Sequence, residues 1–80
     1  MNIHHLIKLA NDIGAFFEAE PDRAKGAEGV ANHVKSFWEP RMRRQILTYF
    51  DEHNGEGLSE LVRNALRIHR EELTPRSNGQ

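Results

Sequence analysis

The sequence predicts an all-α fold, a compact bundle of about four short helices with a disordered C-terminal tail. Apolar residues recur at three- and four-residue steps in four separate segments, which is the spacing of one helix face. No segment alternates with period two over a useful length, so no strand is predicted. Proline and glycine clusters separate the segments, and 80 residues fit one small domain.

The first predicted helix covers about residues 3–18. Asn2 can cap it, because its side chain can accept an otherwise unpaired backbone N–H. Gly14 costs about 1 kcal/mol of helix propensity relative to alanine, and it permits a close helix contact. Phe16 lies about 100° from Phe17, so one of the two rings widens the apolar face. The stripe consists of Ile3, Leu6, Ile7, Ala10, Ile13 and Phe17.

The second predicted helix follows the turn "AEPDR" and runs to about Trp38. Pro21 suits the first position of a helix, and Asp22 is favourable near the positive end of the helix dipole. Gly26 and Gly29 weaken the first half, so we expect the helix to begin late. Its stripe is Ala27, Val30, Ala31, Val34, Phe37 and Trp38.

The third and fourth predicted helices lie on either side of the breaker "HNGEG". Pro40 ends the second helix and suits the first turn of the third, over about residues 40–53. Ser59 is expected to cap the fourth. The apolar positions are Met42, Ile46, Tyr49, Phe50 and His53 in the third helix and Leu58, Leu61, Val62, Ala65, Leu66 and His69 in the fourth.

The C-terminal residues differ from the rest of the chain. The stretch "TPRSNGQ" has no apolar anchor, and chain ends of this kind are usually mobile. We therefore assign residues 1–73 to a single helical domain and residues 74–80 to a flexible tail.

Composition argues against metal, disulfide and membrane sites. The chain has no cysteine, which excludes disulfides and thiolate metal ligands and fits a cytoplasmic protein. His4 and His5 diverge by about 100° on a helix, so they cannot easily share a metal. His33, His53 and His69 have no ligand at the spacing of zinc-binding helices. No apolar run approaches the roughly 20 residues that span a bilayer.

The sequence also lacks the marks of an enzyme. No serine lies in a strand–turn–helix elbow, and the carboxylates near Pro21 are typical of a solvated loop. A chain of 80 residues hardly encloses a substrate pocket of several hundred Å³. No catalytic residue is therefore predicted.

The stretch "FWEPRMRR" is the most distinctive part of the chain. Arg41, Arg43 and Arg44 at a helix start leave nucleic-acid binding open, although a net charge of −1 argues against a dedicated polyanion binder. Alternatively, these arginines are solvated or pair with Glu39 and Asp51. Tryptophan and arginine dominate binding hot spots, so an interaction module is favoured over an enzyme.

Three stretches follow one another in the order of a known family: "LIKLANDIGAFFEAEPDR", "GVANHVKSFWEPRMRRQI" and "GEGLSELVRNAL". Over about residues 6–66 the chain resembles the delta subunit of the NAD-dependent formate dehydrogenases that contain molybdenum or tungsten. The most specific matches are Ala10-Asn11, residues 13–17, Pro21, Ala31-Asn32-His33 and residues 37–43.

This resemblance implies a non-catalytic accessory subunit that holds no cofactor. In the implied complex, a large (alpha) subunit holds the molybdenum or tungsten pterin centre and iron–sulfur clusters, and the beta and gamma subunits carry flavin and further clusters. The delta subunit would bind the large subunit in the cytoplasm, and through it the beta and gamma subunits. It would thereby support assembly and stability of the holoenzyme.

We predict that the partner binds at the "FWEPRMRR" corner and at Asn32 and His33 in the predicted helix before it. Trp38 is expected to share its surface between this chain's core and the partner, with Met42 adding apolar contact. Arg41 and Arg43 would pair with acidic groups or carbonyls, because arginine bonds such groups bidentately. Two other functions stay open, a small helical nucleic-acid-binding regulator and a transient assembly chaperone. The predicted partner-binding residues are Asn32, His33, Phe37, Trp38, Pro40, Arg41, Met42, Arg43 and Arg44.

Overall fold

The computed structural model describes residues 2–76, which form an all-α bundle. No strand occurs in this range, and the predicted fold class is confirmed. A one-turn fifth helix was not predicted. The helices are α1 (Ile3–Phe17), α2 (Arg23–Phe37), α3 (Pro40–His53), α4 (Glu60–Ile68) and α5 (Arg70–Leu73).

The predicted tail is only partly described. Residue Thr74 is fastened to the end of α5, because its Oγ1 donates to the carbonyl oxygen of Arg70 at 2.8 Å. The last four residues of the predicted tail, 77–80, lie outside the described residues. Between residues 2 and 76, every helix is too short or too polar to cross a bilayer.

Polar caps and a proline determine where three of the helices begin. The Asn2 side chain accepts the backbone N–H of His4 at 2.7 Å, and the Ser59 hydroxyl accepts that of Val62 at 3.3 Å. Both predicted caps are confirmed. Pro40 is the first residue of α3, where its missing N–H would have had no helical partner in any case.

The second helix begins earlier than predicted. Its cap is Asp22, whose carboxylate accepts the backbone N–H of Ala24 at 2.9 Å. Pro21 lies one residue before this cap and not at the first helical position. The expected late start is therefore wrong, since α2 is helical from Arg23 onward.

The two glycines that were expected to weaken α2 allow α1 to pass close to it. A Cβ at Gly26 would lie 3.3 Å from the carbonyl oxygen of Phe17. A Cβ at Gly29 would lie 2.4 Å from Cε1 of the same phenylalanine. The low helix propensity of these two glycines is thus offset by the close packing of α1 on α2.

A single apolar core joins all five helices. No polar or charged residue is buried between residues 2 and 76. Leu47 and Leu73 were missing from the predicted stripes, whereas His53 was included and is exposed. The core residues are Leu6, Ala10, Ala27, Val30, Ala31, Val34, Trp38, Ile46, Leu47, Leu58, Leu61, Val62, Ala65, Leu66 and Leu73.

The first helix is fastened to the loop between α3 and α4. The Asn11 amide nitrogen donates to the carbonyl oxygen of Gly57, and its oxygen accepts the backbone N–H of Ser59, both at 2.9 Å. The close contact predicted at Gly14 is with α4, because a Cβ there would lie 2.7 Å from Cγ2 of Val62. These contacts fix the position of α1 against the C-terminal third of the fold.

Candidate partner-binding surface

The adjacent aromatic residues Phe37 and Trp38 face opposite environments. Trp38 is only 7% exposed and belongs to the core, whereas Phe37 is 74% exposed. The backbone N–H of Trp38 still donates to the carbonyl oxygen of Val34 at 2.9 Å, so helical geometry persists to the end of α2. The interpretation that Trp38 closes the core is confirmed. Trp38 leaves little surface for a partner, and Phe37 carries the exposed ring of the pair.

Phe37 belongs to a contiguous apolar surface on α1 and α2, which we call the aromatic patch. The rings of His33 and Phe37 lie 4.7 Å apart between centroids. Phe16 packs edge-to-face on Phe17, with the centroids 5.0 Å apart. A concavity of about 300 Å³ is lined by Ile13, Phe16, Phe17 and His33. The patch consists of Ile13, Phe16, Phe17, His33 and Phe37.

The positions of the two phenylalanines on α1 follow from helix geometry. Neighbouring residues project about 100° apart, so Phe16 and Phe17 cannot both join the buried stripe. Phe17 lies half-buried over Gly29, and Phe16 is left 74% exposed. The sequence indicated that one ring widens the apolar face. It did not indicate that Phe16 would lie beside His33, which is contributed by another helix.

Among the other predicted partner residues, Asn32 belongs to α2, and Pro40, Arg41, Met42, Arg43 and Arg44 belong to the first turns of α3. Asn32 and Pro40 are exposed, and Met42 is half-buried against the core. Arg41 and Arg44 are exposed and line a groove shared with Tyr49. Neither of these two arginines lines the concavity of the aromatic patch.

The arginines of α3 do not form the ion pairs considered from the sequence. Asp51 binds Arg70 of α5 instead, with Nη1 lying 2.6 Å from Oδ1. Within residues 2–76, the guanidinium groups of Arg41, Arg43 and Arg44 have no ion-pair partner. The alternative that they pair with Glu39 or Asp51 is wrong.

Comparison with known proteins identifies the family. Residues 5–66 match the family described as NADH-dependent formate dehydrogenase delta subunit FdsD, over more than three quarters of the chain. The chain belongs to this delta subunit family. The resemblance drawn from the sequence is thereby confirmed. No curated protein and no solved structure shows a significant match.

The delta-subunit match contains the whole aromatic patch and the "FWEPRMRR" corner, and it ends within α4. Helix α5 lies beyond it. The family is that of a subunit of an NADH-dependent formate dehydrogenase, so a chain of this family occurs with other subunits. An exposed aromatic surface is consistent with that setting.

The described residues do not fit the metal and clusters that the resemblance implies for the complex. The chain has no cysteine to bind an iron–sulfur cluster. Within residues 2–76, no group of three or more histidine, aspartate or glutamate side chains is placed to hold a metal ion. We therefore derive no chemical step through such a group in this delta subunit.

Proposed function

We propose that this chain is a non-catalytic accessory subunit of a cytoplasmic NAD-dependent formate dehydrogenase, and that its aromatic patch binds the large metal–pterin subunit. The observation that carries the proposal is the exposure of Phe16 and Phe37, each 74% accessible. Phe16 and His33 line one apolar concavity, and the Phe37 ring packs on His33. Family membership supplies the complex to which the partner belongs.

Physical chemistry supports a protein partner for this surface. Burying a phenylalanine side chain is favourable by about 1.5–3 kcal/mol. In the isolated chain, the two exposed rings of Phe16 and Phe37 do not gain most of this free energy. Phenylalanine is enriched at the cores of protein interfaces, where rigid rings lose little conformational entropy. Ile13 and Phe17 pack against the core, whereas the rings of Phe16 and Phe37 stay exposed and are free to contact a partner.

Binding of this kind would stabilise the complex by mass action. A subunit that binds only the folded large subunit shifts the large subunit's equilibrium toward the folded state. Formate oxidation and hydride transfer to NAD would take place on the alpha, beta and gamma subunits, which hold the molybdenum or tungsten pterin centre, iron–sulfur clusters and flavin. The role of the delta subunit is assembly and stability.

The proposal can be tested by co-purification from cells that express all subunits. The double variant Phe16→Ser/Phe37→Ser should be lost from the complex, because it removes both exposed rings. Ile68→Ser is the matched control, since Ile68 is 61% exposed on α4 and lies outside the patch. Wild-type recovery of the double variant, or equal loss of the control, would refute the proposed surface.

Two alternatives give different results. A transient assembly chaperone would be required for active enzyme but absent from the purified mature complex, which quantitative mass spectrometry measures. The guanidinium groups of Arg41 and Arg44 are exposed and form no ion pair with residues 2–76, which favours a nucleic-acid-binding regulator as the second candidate. Such a protein would bind duplex DNA with an affinity that falls steeply as salt rises. We expect no binding at low salt.

A further inference from the structure

A tight turn formed by residues 53–56 follows directly after α3. Asn54 and Gly55 both have positive φ, 57° and 70°, and the backbone N–H of Glu56 donates to the carbonyl oxygen of His53 at 3.0 Å. Two positive φ values inside such a turn are typical of type I′, for which asparagine followed by glycine is a preferred pair. The ψ of Asn54, 25°, also fits this turn type.

The peptide between Asn54 and Gly55 is not fastened to the rest of the fold. Neither the carbonyl oxygen of Asn54 nor the N–H of Gly55 forms a backbone hydrogen bond with residues 2–76. The Asn54 side chain is exposed and has no hydrogen-bond partner in the same range. It differs in this from Asn11, whose side-chain nitrogen and oxygen are both bonded. The Asn54 amide and the peptide after it can therefore rotate.

A flip of this one peptide brings two reactive atoms together. In a type II′ turn the first central residue has φ of about +60° and ψ of about −120°. That ψ places the Gly55 nitrogen on the same side of the Cα–C bond as Cβ, within reach of the Asn54 Cγ. The φ of Asn54 already fits, and glycine adopts the negative φ that the second position then requires. The Cα atoms stay nearly in place.

We infer that Asn54 followed by Gly55 is a site of spontaneous deamidation. In the flipped turn the Gly55 nitrogen gives its proton to a solvent base and bonds to Cγ of Asn54. The Cγ–Nδ2 bond breaks, and Nδ2 takes up a proton from water and leaves as ammonia. Water then opens the succinimide ring at either carbonyl, which leaves aspartate or isoaspartate. The net reaction consumes water and releases ammonia, so it is independent of the proposed partner.

The modification changes the loop that holds α1. Side chains of α3, α1 and α4 donate to three successive carbonyl oxygens of this loop: Tyr49 to Glu56 at 2.8 Å, Asn11 to Gly57 at 2.9 Å and Arg63 to Leu58 at 2.7 Å. Isoaspartate lengthens the main chain just before these residues. Either product also places a negative charge at the C-terminal end of α3, which the helix dipole disfavours. Deamidation therefore weakens the attachment of α1 to the loop.

Peptide mass spectrometry of the purified full-length chain, incubated at mildly alkaline pH, tests the reaction. The free peptide "EHNGEG" gives the rate without a fold. We expect the half-life of Asn54 in the folded chain to lie within about tenfold of that in the peptide, because an Asn-Gly pair adopts both primed turns. The half-life should shorten as pH rises, because the Gly55 nitrogen must lose its proton. An Asn54 that is intact when the peptide has fully converted would overturn the inference.

The same maps contain their own controls. Asn32 and Asn64 lie inside helices and precede residues larger than glycine, so both should stay intact over the same period. Conversion of all three at one rate would refute a specific site. The Asn-Gly pair at residues 78–79 lies outside the described residues, and peptide mapping separates it from Asn54.

A melting experiment tests the consequence for the loop. The Tm of the converted wild type should be lower by about 4–8 °C, as is typical of a modest loss of stability in a domain of this size. Asn54→Gly has no reactive amide and suits a positive φ, so its Tm should not change during the incubation. Equal losses for the two chains, or no loss for the converted wild type, would refute the effect on the attachment of α1.

Discussion

The side-chain oxygen of Asn11 accepts the backbone N–H of Ser59 at 2.9 Å, across 48 positions of sequence. The amide nitrogen of the same residue donates to Gly57, also at 2.9 Å. Ser59 in turn caps α4 through its hydroxyl. One half-buried amide on α1 therefore holds both the end of a loop and the start of a helix.

Asn11→Ala should destabilise the chain by about 1–3 kcal/mol, because it leaves two backbone groups without their partners. Urea unfolding followed by far-ultraviolet circular dichroism measures this change. Asn32→Ala is the control, since Asn32 is an exposed helical asparagine, and it should stay within about 0.5 kcal/mol of the wild type. Equal losses for the two variants would contradict the role of Asn11.

Gly14→Ala should destabilise the chain although alanine favours helix. The new Cβ would lie 2.7 Å from Cγ2 of the buried Val62. Overpacking of this kind costs about 1–3 kcal/mol, which exceeds the roughly 1 kcal/mol gained in helix propensity. Urea unfolding measures the net change, and a more stable variant would contradict the close contact between α1 and α4.

Gly29→Ala should behave differently. Its Cβ would meet the half-buried ring of Phe17, which can swing toward solvent. We expect a stability change within about 1 kcal/mol, since helix propensity offsets the lost contact. We also expect weaker binding to the large subunit, because the ring leaves the aromatic patch. Binding at wild-type strength would show that the patch tolerates this movement.

Trp38→Ala and Phe37→Ala separate folding from partner binding. Trp38→Ala should cost about 3–5 kcal/mol, a large share of the stability of a small domain. Phe37→Ala should leave stability within about 0.5 kcal/mol and reduce co-purification with the large subunit. Circular dichroism melts of the free chain make the comparison. A stable Trp38→Ala chain that no longer binds its partner would instead identify Trp38 as a binding residue.

The ion pair between Asp51 and Arg70 should contribute little to stability. Both side chains are nearly half exposed, so solvent screens their attraction. A double-mutant cycle with Asp51→Asn and Arg70→Gln should give a coupling of about 0.2–1 kcal/mol, weaker at high salt. A much larger value would mean that α5 depends on this pair more than on the burial of Leu73.

Sequence periodicity predicted the four longer helices because their apolar stripes also form the core. Caps such as Asn2 and Ser59 were predictable, since their hydrogen bonds are local. Helix propensity alone did not predict the start of α2. Gly26 and Gly29 have low propensity, but they allow Phe17 of α1 to pack closely on α2, which the sequence does not show. Helix α5 has four residues, which is too short to show a period.

The candidate site was predicted only in part. The motif around Phe37 and Trp38 pointed to one end of the aromatic patch, but rotation about the helix axis and core packing decide which ring is exposed. The contribution of Phe16 depends on how α1 lies beside α2. The sequence does not indicate that Lys35, Arg43 and Arg76 line one concavity, since they come from three separate parts of the chain.

The attachment of α1 to residues 57–62 has a consequence for biosynthesis. Asn11 and Gly14 can contact Ser59 and Val62 only after the ribosome has synthesised most of the chain. Long-range contacts of this kind form late, because the intervening loop must first be closed. A chain that ends at His53 should therefore have low helical content by circular dichroism. The N-terminal helix can therefore pack in its final position only after the C-terminal third of the chain has been synthesised.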